Sequence, residues 1–301
     1  MEVRSPEQFL QDYGLGPSDL DIAGISWADL LEIRDDFRGK IAEYDAAGIG
    51  VLRSLLRYGV IHAMKYRIKD PDHLMAKIVR CRIRDASQVI TVTNYESVIS
   101  DLIGIRILHL IKSHWYEIHE IIRTHYRQAE APVANVRAGD PEQLIQIYAD
   151  RGCEIRIHPQ GYRSVHYLIH TGFDYRVEIQ VRTIFEESWG EVDHAVRYPR
   201  LTSDPLMQEF LEILSRLAGS ADETAEFILG WKEEVLVRGR LSAKLAGAAA
   251  GCMEELRRSS LSTAEKESLF QGLQHLLSLI PAVGKPPLLT SIYLPDKDEQ
   301  A

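Results

Sequence analysis

Apolar positions recur at spacings of three and four through the first sixty residues, which predicts helices. Pro6 opens a short amphipathic stretch carrying Phe9, Leu10 and Tyr13. A longer one runs from Trp27 to Tyr44, with Leu30, Leu31, Ile33, Phe37 and Ile41 near helical spacing. Gly48 and Gly50 are expected to punctuate it, with a third helix from Val51 to His62. The period then shortens. Tyr66 to Lys69 is expected to be extended, because Pro71 disfavours helix just before it. Helices are expected at His73–Arg82, Asn94–Ile99 and Trp115–Arg127, with a strand at Gly104–Leu110. Ala131 to Gln146 reads as loop and then helix. Strands follow at Glu154–His158, Ser164–His170 and Tyr175–Val181, the last two joined as a hairpin by Gly172-Phe173-Asp174. A helix from Ile184 to Val196 ends before Pro199.

From Pro205 onward nearly everything reads as helix. Phe210, Leu211, Leu214, Leu217, Ala218, Ala221, Ala225 and Ile228 are expected to form an apolar face that packs on the preceding domain. Further helices are expected at Trp231–Arg257 and Ser262–Leu279, before a tail marked by Pro281, Pro286, Pro287 and Pro295. No repeat or sustained heptad is visible. The pattern predicts an α+β fold: a mixed sheet of about five strands flanked by helices, with helical extensions at both ends. The hairpin argues against a purely parallel sheet. The expected organisation is a helical segment over 1–60, a central domain over 61–200 and a helical region over 201–301.

Composition narrows the function. The 301 residues are 45% hydrophobic and 26% charged, as in a soluble globular protein. No apolar run is long enough to span a bilayer, and Met1 to Pro6 carries no apolar signal core, so a cytoplasmic protein is expected. Cys81, Cys153 and Cys252 are far apart and odd in number, which predicts reduced, buried thiols and no metal site built on them. The net charge of −9 disfavours bulk attraction to nucleic acid. Yet Arg67, Lys69, Lys77, Arg80, Arg82 and Arg84 cluster, which fits a local nucleotide pocket.

The candidate chemistry begins with two carboxylates. Asp101 opens Asp101-Leu102-Ile103-Gly104-Ile105-Arg106, and Glu178 sits within Val177-Glu178-Ile179-Gln180-Val181-Arg182-Thr183. Two acids on neighbouring strands can share a magnesium ion, which takes hard oxygen ligands and leaves room for phosphates. Asp101 could equally cap a turn, and Glu178 could form a plain salt bridge with Arg106, Arg176 or Arg182. Gly161-Tyr162 could be an ordinary loop. It could also lay a flat ring under a purine, a contact worth about 1–3 kcal/mol per base. His166 follows near a strand start. Arg67 and Lys69 share one side of an extended segment, with Lys77 on the next helix.

In order, Arg-x-Lys, Asp-x-x-Gly-x-Arg, Gly-Tyr-x-Ser-x-His and Glu-Ile-Gln-x-Arg-Thr resemble the synthetase domain of the RelA/SpoT family. The resemblance covers Tyr66 to Tyr198, and the segment Ser188 to Tyr198 looks like the following helix of the small, single-domain members. It implies transfer of the β,γ-pyrophosphate of ATP to the 3′-hydroxyl of GDP or GTP, releasing AMP. By resemblance, Arg67 and Arg106 would sandwich the adenine, and Lys69 and Lys77 would hold the ATP phosphates. Asp101 and Glu178 would bind Mg2+, with Glu178 taking the proton of the attacking hydroxyl. Tyr162 would stack on guanine and His166 would fix the acceptor, while Gln180, Arg182 and His194 occupy motif positions without assigned roles.

The chain departs from the family in three places. His73 stands near the site of a serine common between the two lysines, and Arg197-Tyr198-Pro199-Arg200 replaces a frequent lysine. No His-Asp dipeptide of the family's hydrolase domain occurs. Two other readings remain: a toxin-type member that pyrophosphorylates tRNA 3′ ends or adenine nucleotides, and a non-catalytic nucleotide-binding regulator. The flanking helices are expected to serve assembly, as in a homo-oligomer, or control.

Overall fold

The computed structural model describes residues 5–172, 174–197, 204–260 and 262–278. The expectations for Phe173, for Tyr198 to Arg200 and for the proline-marked tail fall outside these residues. In chain order the elements begin with α1 (Pro6–Asp12), α2 (Asp19–Ala23), α3 (Trp27–Leu55), β1 (Ala63–Ile68), α4 (Pro71–Arg84), α5 (Tyr95–Val98) and β2 (Ile103–His109). They continue with α6 (His114–His125), β3 (Arg127–Gln128), β4 (Val133–Val136), α7 (Glu142–Asp150), β5 (Glu154–Ile157), β6 (Ser164–His170), β7 (Arg176–Thr183) and α8 (Ile184–Arg197). Two helices follow, α9 (Pro205–Arg258) and α10 (Thr263–Ser278).

The fold is α+β, with a mixed sheet of seven strands rather than about five. The sheet order is β1-β2-β7-β6-β4-β5, and β3 pairs with β6. β2 and β7 are parallel, as are β4 and β5, while the other pairs are antiparallel. The two added strands are short: β3 has two residues, and β4 lies where the sequence predicts loop. Four residues such as Val133 to Val136 are too few to display a period against Gly and Pro neighbours.

Strand alternation divides the sheet into unlike faces. Ile103, Ile105 and Ile107 of β2, Val177, Ile179 and Val181 of β7, and Val165, Tyr167 and Ile169 of β6 are buried in the main core with Leu30, Ile33 and Phe37 of α3 and Leu74, Ile78 and Val79 of α4. Within it Trp115 Nε1 donates to the Tyr167 hydroxyl at 2.9 Å, and His119 Nδ1 lies 3.0 Å from the same oxygen. The opposite face carries Lys65 and Arg67, Arg106, His166, and Glu178, Gln180 and Arg182. The register puts Lys65 beside Arg106, Arg106 beside Gln180 and Gln180 beside His166.

α3 starts at a capping box in which Ser26 Oγ accepts from Asp29 N at 3.1 Å. It then runs unbroken through Gly48 and Gly50, correcting the expected punctuation. Gly48 is needed for close packing, because a Cβ there would lie 2.4 Å from Tyr66 Cε2 and 2.8 Å from Ile103 Cγ2. α4 is capped by Asp70, which accepts from the amides of Asp72 and His73, with Pro71 in the first turn.

The chain divides into two compact units, Met1–Glu226 and Phe227–Ala301. α9 is one continuous helix where two were expected. In the first unit its opening turns do pack back on the domain: Trp189 Nε1 of α8 donates to Leu211 O at 2.9 Å. Of the expected face, Leu211 is buried and Leu214, Ala218, Ala221 and Ala225 are half-buried, while Phe210, Leu217 and Ile228 are exposed. Gly219 and Asp222 are also buried. In the second unit Leu236, Val237, Leu241 and Leu269 are exposed. Cys81 and Cys153 are buried as expected, but Cys252 is exposed on α9. No described helix is long and apolar enough to cross a membrane.

Candidate active site

Six of the eleven sequence-predicted residues, Arg67, Arg106, His166, Glu178, Gln180 and Arg182, lie on the polar sheet face itself, and the other five at its ends and borders. Arg67 of β1 lies over Gly104 of β2, its register partner; a Cβ on Gly104 would meet Arg67 Cγ at 3.4 Å. Gly104 is also the register partner of Glu178 on β7. The missing side chain therefore lets the Arg67 side chain lie across the strand at Gly104. A cleft of about 620 Å³ lies here, lined among others by Arg67, Arg106, Tyr162, Glu178, Gln180, Arg182 and His194.

Asp101 sits in the turn before β2 and grips two ammonium groups. Lys69 Nζ, just after β1, donates to Oδ2 at 2.7 Å, and Lys77 Nζ of α4 donates to Oδ1 at 2.7 Å. Burial pushes the Asp101 carboxyl up, but Lys69 and Lys77 outweigh it and hold the group below its ordinary value. Lys69 is lowered in turn, chiefly by burial, with Asp101 offsetting part of the effect.

Glu178 pairs with His166, whose Nδ1 lies 3.4 Å from Oε1, and accepts from Gln180 Nε2 at 2.9 Å. Burial raises its carboxyl and His166 lowers it; Asp101 raises it again and Gln180 lowers it, leaving it below the ordinary value. The partner is thus a histidine, not one of the three arginines considered from sequence. Arg176 instead donates to Glu96 O at 2.7 Å.

Tyr162 is delivered by the loop between β5 and β6. Gly161 has φ +74°, a left-handed conformation that favours glycine. The next residue but one is anchored: Arg163 Nε donates to buried Asp140 Oδ2 at 3.0 Å, and Arg137 N donates to the same oxygen at 2.8 Å. The Tyr162 hydroxyl lies 3.2 Å from His166 Nε2, and the Arg182 guanidinium sits 5.4 Å over its ring. Tyr162, His166 and Glu178 therefore form a connected chain across β6 and β7.

Sequence reasoning missed the residue that organises the cations. Glu187 of α8 accepts from Arg106 Nη1 at 2.9 Å, from Lys65 Nζ at 2.6 Å and from Arg182 Nε at 2.7 Å. Glu191 takes Arg106 Nη1 at 2.6 Å. Burial raises the Glu187 carboxyl, but Lys65, Arg182 and Arg106 together hold it at about 2. Its signal was the helical spacing of Glu187 and Glu191 directly after a strand bearing Arg182. Arg182 is only 3% exposed, so it is a buried ion-pair partner as well as a cap over Tyr162.

A second missed feature lies at the strand's end. Thr183 and Glu186 form a capping box: Glu186 N donates to Thr183 Oγ1 at 3.1 Å and Thr183 N donates to Glu186 Oε2 at 2.9 Å. The same hydroxyl donates to Asp222 Oδ2 at 3.0 Å, tying α9 to the sheet. Burial first, and the neighbouring Glu186 second, push the Asp222 carboxyl up to about 7.

No group of three or more His, Cys, Asp or Glu residues among the described residues could hold a metal. Asp101 and Glu178 are two carboxylates of this site, and Asp101 raises the cost of ionising Glu178. That donor set fits a hard cation completed by water and phosphate oxygens, as magnesium prefers, rather than an all-protein cage.

Together the mixed sheet and its polar face define an α+β domain with a cleft lined by both cations and carboxylates. Residues 66–202 match the family model described as "Region found in RelA / SpoT proteins", and the chain contains that region. The GTP pyrophosphokinase YwaC of Bacillus subtilis (strain 168) is 24% identical over 235 residues, covering 72% of this chain and 100% of that protein. Among solved structures, small alarmone synthetase 1 from Bacillus subtilis is 19% identical with a TM-score of 0.46, covering 66% of this chain and 95% of that one. A GTP pyrophosphokinase family protein from Streptococcus pneumoniae is 19% identical with a TM-score of 0.43, covering 76% and 94%. The chain is a distant homologue of GTP pyrophosphokinases.

Proposed function

We propose that this protein transfers the β,γ-pyrophosphate of ATP to the 3′-hydroxyl of GDP or GTP, with Mg2+ as cofactor and AMP as leaving product. The observation that carries this reading is the pairing of Asp101 with Lys69 and Lys77 beside a sheet face that presents Glu178, His166 and Tyr162. Phosphoryl-type transfer needs positioning and charge neutralisation more than covalent chemistry, and this arrangement offers both.

In the reaction, the acceptor 3′-oxygen bonds to the β-phosphorus of ATP. The bond from that phosphorus to the oxygen bridging it to the α-phosphate breaks, and AMP departs with that bond's electron pair. The hydroxyl proton passes to Glu178. Its carboxyl is held below the ordinary value, so it is ionised at neutral pH and able to accept. His166 and Gln180 orient it through their contacts at 3.4 and 2.9 Å. Lys69 and Lys77 turn from Asp101 to the donor phosphates, and Asp101 with Glu178 would hold the Mg2+. When bound there, the metal would supply charge neutralisation on the transferring phosphates. Arg67 and Arg106, on adjacent strands of one face, hold the adenine between them, and Tyr162 stacks on the acceptor base.

The test is a transfer assay with purified protein, magnesium and γ-labelled ATP, offering GDP, GTP, ATP or bulk tRNA in separate reactions. Label on GDP or GTP with stoichiometric AMP supports the proposal. Label on tRNA or on ATP as acceptor assigns the toxin-type reading, and nucleotide binding without AMP in any reaction assigns a regulator.

A further inference from the structure

A second cleft, of about 500 Å³, shares no lining residue with the first. Its floor is apolar and built from small groups: Ala46, Ala47 and Gly50 of α3, backed by Val51, Leu55 and Ile121. A Cβ added at Gly50 would meet nothing within 4 Å, so the concavity is open at that point.

The rim differs sharply from the chain's average. It carries Arg57, Tyr58, His125, Tyr126, Arg127 and Thr171, and no carboxylate lines the cleft, although the protein's net charge is −9. Both rings are held in place. The Tyr58 hydroxyl accepts from Arg57 Nη2 at 3.0 Å and lies 3.0 Å from His125 Nε2, while the Tyr126 hydroxyl is bonded to Ser54 Oγ. The Arg57 guanidinium lies 5.0 Å over the Tyr58 ring. In the wall, the buried Thr171 hydroxyl has no hydrogen-bond partner among the described residues. Arg127 pairs with Asp174, but both side chains are exposed and such a pair is weak, so an incoming anion can compete for the guanidinium.

We propose that this cleft binds a small aromatic anion: a flat ring carrying a phosphate, sulfonate or carboxylate. The ring lies on the Ala46, Ala47 and Gly50 floor against Tyr58 and Tyr126. The anionic group reaches Arg57 and Arg127, and the Thr171 hydroxyl donates to it. The volume is that of ordinary small-molecule sites, and a mostly apolar lining with few polar groups is their usual character. Neither the donor nor the acceptor of the transfer reaction is needed for this argument, so the site stands or falls separately.

The test uses 1-naphthyl phosphate and the full chain, followed by titration calorimetry. One molecule is expected to bind. Gly50→Leu, which fills the floor while favouring helix, is expected to weaken binding by at least about tenfold. Arg57→Gln, at an exposed position, is expected to weaken it similarly, and Tyr162→Ala to leave it unchanged. Inorganic phosphate and uncharged 1-naphthol, each offered alone, are expected to bind at least about tenfold more weakly than the joined molecule. Thermal unfolding of the two cleft variants establishes that they remain folded. The proposal is overturned by absence of binding at millimolar 1-naphthyl phosphate, or by parent-like affinity in folded Gly50→Leu or Arg57→Gln. It is also overturned by 1-naphthol or phosphate alone binding as tightly, or by loss of binding in Tyr162→Ala, which would place the ligand on the sheet face.

Discussion

Tyr162 is where a single side chain most clearly serves a proposed ligand. One side of its ring faces the Arg182 guanidinium, and its hydroxyl meets His166. Replacing it with Ala removes a stacking surface and no charge. Acceptor binding is expected to weaken by about 1–3 kcal/mol, the range for one base on one ring, with ATP binding within about twofold of the parent. Equilibrium binding of GDP and of a non-hydrolysable ATP analogue checks this; loss confined to the ATP analogue would reverse the two subsites. The motif residues were legible because chemistry imposes type and spacing: an acid beside a Gly-x-Arg strand, a glycine before a ring. Glu187 was not, since an acid in a helix's first turn is ordinary until three cations are found around it. The partner of Glu178 was also illegible, because His166 reaches it through strand pairing, twelve residues away along the chain.

At the scale of elements, periodicity revealed helices and long strands and failed at glycines and very short strands. Gly48 looked like a break, yet α3 needs it to admit Tyr66 and Ile103. Gly48→Ala decides between local propensity and packing. Propensity alone favours Ala by about 1 kcal/mol, whereas overpacking against Tyr66 costs about 1–3 kcal/mol. Net destabilisation in urea unfolding is expected; equal or greater stability would contradict the packing account. The tether from α9 to the sheet gives a pH prediction. Asp222 titrates at about 7 in the folded chain against an ordinary 3.8, so the folded state holds the extra proton between those values. Stability from this group is therefore fully present below pH about 4, falls as pH rises toward 7, and stays reduced above it. Asp222→Asn removes the dependence, so its stability relative to the parent is expected to rise by a few kcal/mol, about 1.4 per pKa unit, between pH 4.5 and 8. Parallel parent and variant curves would refute the buried-acid account. The α9 face shows the same limit: Asp222 is polar and was excluded from the apolar count, yet it is buried beside Leu211 and the half-buried Ala218 and Ala221.

Across the sheet, Lys65, Arg67, Arg106 and Arg182 share one face with Glu178, while the isoleucines and valines of β2 and β7 are buried on the other. Sheet alternation makes this separation, so β1, β2, β6 and β7 can each contribute a functional side chain without disturbing the core. The proposed transfer rests on Glu178 of this face taking the proton of the attacking hydroxyl. The most direct measurement is single-turnover transfer from γ-labelled ATP to GDP by the parent and by Glu178→Gln, with ATP-analogue affinity measured on both. Gln keeps the shape and removes the charge and the base. A fall in the transfer rate of at least about a hundredfold is expected, with analogue affinity within about threefold of the parent. A variant that transfers within about tenfold of the parent rate would contradict it.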